Sequence, residues 1–383
     1  MEFELEAHQS DVREIARGVA DELLRPSVDR RDREHSFPEE TLRTMAERGL
    51  MGVNVSEQWG GLERGVVSYS LAITEVARAD AAVAVTMAVN NMVAEIIEKF
   101  GTDAQKREHL SDLTGGVYSS GSFCLSEPGA GSDPAGMRTR AVRTDEGWRI
   151  NGTKAWITSG DYAGVYVVWA QTEVAGEDRI TAFLVDPNTP GISTGKPEKK
   201  MGQHGSNTVS VTFEDVDVPE GALLGELGGG FRIAMVALDG GRVGVASQAL
   251  GLGIEAVEVA RSHVNEAFDE RNRDRALERL TETYAELEAA RLLVLRAAWM
   301  KERGESRFTR EASMAKLYAS EAAWDACIEA LDVVGLDAHK RGLPLERCLR
   351  DARVTRIYEG TSEIQRIVIA RDLLRRGVKT AIS

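Results

Sequence analysis

Little in the sequence marks it for an oxidising compartment, a membrane or a nucleic acid. Its three cysteines, Cys124, Cys327 and Cys348, lie far apart and at no metal-ligand spacing. Neither a disulfide framework nor a metal centre is expected, and the thiols read as reduced interior residues. Basic residues are outnumbered, 47 Lys and Arg against 61 Asp and Glu, for a net charge of −14. That balance excludes the cationic face of a nucleic-acid-binding protein and favours solubility or a basic protein partner. Apolar runs are short: the longest, Ala81 to Val89, stops at Asn90-Asn91, well below the roughly 20 residues of a spanning helix. Met1-Glu2-Phe3-Glu4-Leu5-Glu6 offers neither a basic nor an apolar stretch, so no secretory signal is expected and the location reads as cytoplasmic. Internal repeats and low-complexity tracts are absent.

What the chain does have is a change of period, twice. Its 383 residues, 43% hydrophobic and 28% charged, suit a globular protein of two or three domains. Val12, Ile15, Val19 and Leu23 recur at helical spacing up to Pro26, and Phe37-Pro38-Glu39-Glu40 reads as a helix start. Gly60-Gly61 precedes a second helical region, Val66 to Phe100, rich in alanine and valine. From Val117 the signals turn to strands: residues 165–169, 181–185 and 209–213 are short β-branched or aromatic runs, and Asn151-Gly152 carries a turn signal. After Gly228-Gly229-Gly230 the helical period returns, with Leu280, Tyr284, Leu287, Val294 and Ala298 on one stripe. The expectation is a helical domain over 1–115, a β-barrel or sandwich over 116–226 and a helical domain over 227–383, an α+β protein.

Five stretches carry chemistry. In Phe123-Cys124-Leu125-Ser126-Glu127-Pro128-Gly129-Ala130-Gly131-Ser132-Asp133, glycines and serines build a loop whose N–H groups can face a ligand. Lys154-Ala155-Trp156-Ile157-Thr158-Ser159 puts an indole and a hydroxyl on neighbouring strand positions. Asp239 and Arg242 in Leu238-Asp239-Gly240-Gly241-Arg242 share a helix face and alone would be an ion pair. The run Glu346 to Arg353 would by itself be a solvated face. In Tyr358-Glu359-Gly360-Thr361-Ser362, a carboxylate sits in a loop ahead of a helix capped by Thr361 or Ser362, beside its positive end.

Together, in this order, these stretches resemble the flavin-dependent acyl-CoA dehydrogenases over nearly the full length, most specifically in the run from Arg350 to Arg371, and in a short-chain-like form. The resemblance implies an N-terminal helical domain, a middle β-domain and a C-terminal four-helix bundle that bind FAD and dehydrogenate an acyl-CoA. It makes Glu359 the catalytic base for the α-proton. It assigns Phe123, Leu125, Ser126, Trp156, Ile157, Thr158, Thr361 and Glu363 to the flavin, and Ser132, Asp239, Arg242 and Gly360 to the acyl-CoA, with no metal. Some relatives carry the base at the position of Gly241, which cannot serve. Electron-transfer flavoprotein is the implied acceptor, with an oxidase passing electrons to oxygen as the alternative. A base of this kind must be desolvated so that its pKa rises toward the operating pH.

Two motifs depart from the pattern. Where relatives carry Arg and Phe-Gly reaching a neighbouring subunit's flavin, this chain has Ala267 to Asp274, about four residues shorter than the resemblance implies. Where they carry a glycine-rich run for the same purpose, it has Asp332 to His339 with one glycine. A homo-oligomer with altered adenine-end contacts, a hetero-oligomer with a second subunit, and a non-catalytic subunit are the assemblies these departures imply.

Overall fold

The computed structural model describes residues 4–305, 308–340 and 342–377. Helix α1 (Ala7–Val19) starts with a capping box between Glu6 and Gln9. It buries Val12, Ala16 and Val19 but leaves Ile15 37% exposed. The chain then widens into a π-helical turn, Ala20–Leu24, whose extra residue turns Leu24, rather than Leu23, into the core. Two short helices follow, α2 (Val28–Glu34) and α3 (Glu39–Glu47).

The helical region expected from Val66 to Phe100 is two helices, α4 (Gly65–Ala79) and α5 (Ala81–Phe100). Asp80 breaks it: its backbone is extended and its carboxylate accepts from the N–H groups of Ala82 (2.9 Å) and Val83 (3.2 Å), capping α5. The other oxygen pairs with the buried Arg31 of α2 at 3.1 Å, too obliquely for a hydrogen bond. Helix α6 (Asp103–Thr114) closes this block.

The middle block is one eight-stranded sheet: β1 (Ser120–Cys124), β2 (Arg140–Arg143), β3 (Gly147–Thr158), β4 (Ala163–Val174), β5 (Glu177–Val185), β6 (Ile192–Thr194), β7 (Thr208–Pro219) and β8 (Leu223–Leu224). The order is β6-β7-β3-β2-β4-β5-β8, with β1 parallel to β4. The sheet folds over on itself: Trp148 of β3 and Phe183 of β5, three places apart in that order, meet edge-on at 5.6 Å between ring centroids. Asn151-Gly152 is not a turn. It is a register shift inside β3, where Asn151 and Asp215 of β7 exchange hydrogen bonds. A Cβ on Gly152 (φ +150°) would fall 2.4 Å from Thr139 Oγ1, so glycine here admits a close strand crossing rather than a reversal.

Three long helices follow, α7 (Gly230–Ala267), α8 (Glu270–Glu302) and α9 (Thr309–Val334), with α10 (Leu345–Thr355) and α11 (Ser362–Arg376) completing the bundle. On α8 the buried row runs through Leu280, Thr283, Leu287, Ala290 and Val294, while Tyr284 is 58% exposed. Threonine therefore occupies the place expected of the tyrosine. By length and composition α5 and α7 are apolar enough to cross a membrane, yet 78% and 83% of the windows concerned lie buried inside the protein. One core joins α1, α4 and α5 to α7, α8 and α9. A second gathers α5, α6, β1, β4, the start of α7 and Tyr358, so all three blocks meet there.

Replacing Asp80 tests the break between α4 and α5. Asp80→Ala should lower the unfolding free energy by about 3–5 kcal/mol, since it strands a buried guanidinium. Asp80→Asn, which keeps an oxygen for the cap, should lose about 1 kcal/mol less in denaturant titrations.

Candidate active site

Helix α10 ends at Thr355, and the chain reaches α11 through Tyr358, Glu359 and Gly360. Glu359 (φ 52°) and Gly360 (φ 89°) are both left-handed, a conformation that costs a glutamate about 1–2 kcal/mol. Three anchors hold it. Gln365 Nε2 donates to the carbonyls of Glu359 (2.9 Å) and Gly360 (3.0 Å). Lys316 Nζ of α9 donates to the Gly360 carbonyl at 2.8 Å. The Tyr358 hydroxyl bonds to Gln248 Oε1 of α7 and accepts from Gln203 Nε2, while Gln248 Nε2 donates to the Ala81 carbonyl. Of the two candidate caps, Thr361 takes the role, accepting from Ile364 N–H, and Ser362 donates to Glu321 instead.

The strain presents a carboxylate to an enclosed space. Glu359 Oε2 is buried and has no hydrogen-bond partner among the described residues. Burial pushes its pKa up to about 7, against the pull of Arg242 and Lys316. Lys316, fully buried itself, is brought down to about 7 by burial, with Glu359 the largest opposing influence. The two groups thus share one titration range. Gly241 leaves the space for this: a Cβ there would lie 2.6 Å from Glu359 Oε2 and 3.2 Å from Met92 Sδ.

A second group of the expected residues lies on β1 and β3. The Ser126 carbonyl accepts from Ala155 N–H at 2.9 Å and Ser122 Oγ donates to the Thr158 carbonyl at 2.7 Å, so Phe123, Leu125, Ser126, Trp156 and Thr158 share one edge. At Trp156 the register of β3 shifts and φ is +62°, which turns the indole out to 63% exposure. Ile157, expected at the same edge, packs its side chain into the sheet core at 1% exposure; the bulge that expels Trp156 sends its neighbour inward. Glu127, unassigned in sequence, anchors the glycine loop. It accepts from the N–H groups of Arg138 and Thr139 and from the buried Lys154 ammonium at 2.8 Å. Beyond it Gly129, Gly131 and Ser132 lie exposed.

Asp239 and Arg242 do form an ion pair, at 2.6 Å, and Asp239 also accepts from Thr309 Oγ1. Arg242 is buried and its charge bears on Glu359. Glu363 is exposed in the first turn of α11. The charged run of α10 is no solvated face: Arg350 forks onto Asp32 of α2 (3.2 and 2.8 Å), and buried Asp351, pushed up to about 6 by burial, accepts from the Gln203 N–H. Lys316, Gln365, Gln203 and Gln248 escape sequence reasoning, because each looks like an ordinary helix or loop residue. The one available signal was a lysine amid the alanines of α9.

At Gly240, the helix neighbour of Gly241, lies a cavity of about 60 Å³ walled by Tyr69, Met92, Ile96, Ala237 and Gly240. Glu95, Lys99 and Lys301 divide it from an outer cleft of about 400 Å³.

Family models for the N-terminal, middle and C-terminal domains of acyl-CoA dehydrogenase match residues 6–117, 122–216 and 228–374. The chain is 43% identical over 376 residues, 97% of its length and 90% of the relative's, to a mitochondrial short-chain specific acyl-CoA dehydrogenase of Bos taurus. Among solved structures, butyryl-CoA dehydrogenase from Megasphaera elsdenii matches with a TM-score of 0.93 at 38% identity, covering 98% of this chain and 100% of that one. A chain from the study of the electron transferring flavoprotein of Acidaminococcus fermentans matches with a TM-score of 0.94, also at 38% identity and the same coverage.

Gly241→Ala should evict the Glu359 carboxylate without unfolding the protein, because the atom in the way ends a flexible side chain and alanine favours helix by about 1 kcal/mol. A carboxyl with a raised folded-state pKa destabilises the fold as pH rises from its unfolded value through about 7. The stability advantage of Gly241→Ala over the parent should therefore grow across that window in parallel denaturant titrations.

Proposed function

We propose that this chain, which belongs to the acyl-CoA dehydrogenase family, oxidises a short acyl-CoA thioester between Cα and Cβ with Glu359 as the base. The observation that carries the reading is Glu359 Oε2: buried, without a partner among the described residues, on a carboxyl that burial pushes up to about 7, and set against Gly241, whose neighbour Gly240 walls a small cavity. A thioester α C–H is a weak acid, so a base in water would be ineffective; a desolvated one matched to neutral pH is the arrangement such a proton requires.

The residues facing the site fit FAD. Trp156 offers an exposed aromatic face on a left-handed residue, Ser126 and Thr158 bring half-buried hydroxyls to the same edge, and nothing lies within 4 Å of a Cβ built on Gly129 or Gly131. Phe123, Leu125, Ser126, Trp156 and Thr158 would hold the ring system, with Ile157 contributing backbone only and Thr361 and Glu363 at the other end. Bound FAD supplies the acceptor for the hydride leaving Cβ.

The chain's own groups do the rest. Glu359 Oε2 takes the proton from Cα as that C–H bond breaks and the Cα=Cβ bond forms. The Glu359 N–H, which no backbone carbonyl of the loop engages among the described residues, donates to the thioester oxygen and stabilises the charge that develops there. Arg242 and Lys316 favour the ionised form of Glu359 before the transfer. Asp239 orients Arg242, and Ser132 and Gly360 are assigned to the acyl-CoA. The likeness to the chain from the electron transferring flavoprotein study supports such a flavoprotein as acceptor. A purely structural subunit would have no use for a strained glutamate with a buried, unpartnered oxygen.

Glu359→Gln should keep FAD binding and lose turnover by about 10³- to 10⁴-fold, as when a positioned base is removed; retained bleaching of the flavin by butyryl-CoA would assign the base elsewhere. The base must be ionised to act, so kcat/KM should rise with pH through about 7. Lys316→Met removes a charge that lowers the carboxyl's pKa, so the acid limb of that profile should move to higher pH. An unmoved limb would reduce Lys316 to a loop anchor.

A further inference from the structure

The cavity at Gly240 does not end in hydrocarbon. On α7, Gly240 and Gly241 are consecutive: a Cβ on Gly241 would meet Glu359 Oε2 at 2.6 Å, and one on Gly240 would meet Lys301 Nζ at 2.7 Å. The base and an ammonium therefore flank neighbouring residues of one helix. Lys301 Nζ of α8 lies 2.5 Å from Glu95 Oε2 of α5, and the other Glu95 oxygen accepts from Asn54 Nδ2 at 2.6 Å. Both oxygens of Glu95 are engaged, while an ammonium has two further donors to give. Tyr69, 3% exposed, lines the same cavity. Its hydroxyl lies against α7 one turn beyond Gly240, where a Cβ on Gly244 would come within 2.6 Å of the oxygen.

We infer that Lys301, Glu95 and Tyr69 form a polar subsite at the far end of the acyl pocket, selecting short acyl groups that end in an uncharged hydrogen-bonding group such as a hydroxyl. The inference rests on the acyl-CoA reading of the Glu359 site and deepens it. A plain alkyl end reaching this point strips water from the ion pair, whose side chains keep 19% and 25% exposure, and gives nothing back. A hydroxyl end replaces that water with bonds to the Lys301 ammonium and the Tyr69 oxygen. An anionic end meets Glu95, and past it Glu98 and Glu302, against Lys99 and Lys301. A cationic end meets the Lys301 ammonium first. Were the ion pair merely a plug, chain length alone would decide and polarity would not.

The test uses the FAD-loaded protein and follows flavin bleaching with butyryl-CoA, 4-hydroxybutyryl-CoA, hexanoyl-CoA and glutaryl-CoA. The hydroxyl-ended substrate should exceed butyryl-CoA in kcat/KM by about 10-fold, the worth of one hydrogen bond to a charged partner, with glutaryl-CoA the poorest. Lys301→Met should erase that preference and raise hexanoyl-CoA relative to butyryl-CoA. Glu95→Gln, nearly isosteric, should weaken the preference too, and covers the case in which Lys301→Met does not fold. Calorimetry with unreactive thioether analogues of the first two compounds should show the same order in Kd. Butyryl-CoA equal to or better than its hydroxyl-ended counterpart, or an unchanged preference in both variants, overturns the subsite and leaves the acyl-CoA reading standing. Failure of every acyl-CoA to bleach the flavin overturns both.

Discussion

One carboxylate oxygen, kept dry and unpaired where three structural blocks meet, constrains much of this molecule. A carboxylate left to itself turns toward water, or finds an N–H. Glu359 Oε2 does neither because its backbone is fixed in a left-handed conformation by Gln365, Lys316 and the Tyr358 hydroxyl. Gly241 then leaves the only kind of surface, one without a Cβ, that lets the side chain lie against α7. Strain of this sort persists when the surroundings over-determine it.

The same requirement explains polar groups in otherwise apolar places. Gln248 and Gln203 reach Tyr358 from α7 and from the loop between β6 and β7, and Asp351 fixes Gln203 in turn. The middle block is thereby keyed to the C-terminal helices at the residue next to the base. Arg350, the residue before Asp351, keys α10 to α2 through Asp32. Apart from the Gln248 bond, which stays within the C-terminal block, these bonds run between blocks and fix how the blocks sit around the site. Their worth is in geometry, since buried polar networks add little net stability unless every member is satisfied.

The two stretches that the sequence reading set apart from the family pattern have plain local structures. Helices α7 and α8 are joined by Phe268 and Asp269 alone, with Asp269 capping α8 through the Asn272 N–H. At the end of α9, Gly335–His339 forms a 3₁₀ turn that leaves Leu336 88% exposed. Both features are compact, and neither disturbs the Glu359 loop.

Helical and strand periods are local properties, so the succession of helices, strands and helices was legible from residue spacing. So was a glutamate before a glycine and a helix cap, read through its likeness to a known family. Where neighbouring positions compete for one face, only the packed structure decides. It chose Leu24 over Leu23 through a π turn, Thr283 over Tyr284, and an outward Trp156 over Ile157 through a bulge. It also made a register shift of Asn151-Gly152, where Thr139, just ahead of β2, packs too close for a Cβ. The partners of Glu359 were beyond sequence for the same reason: Lys316 and Gln365 look unremarkable until α9 and α11 are laid against one loop, and a desolvated charge exists only when distant parts of the chain close over it.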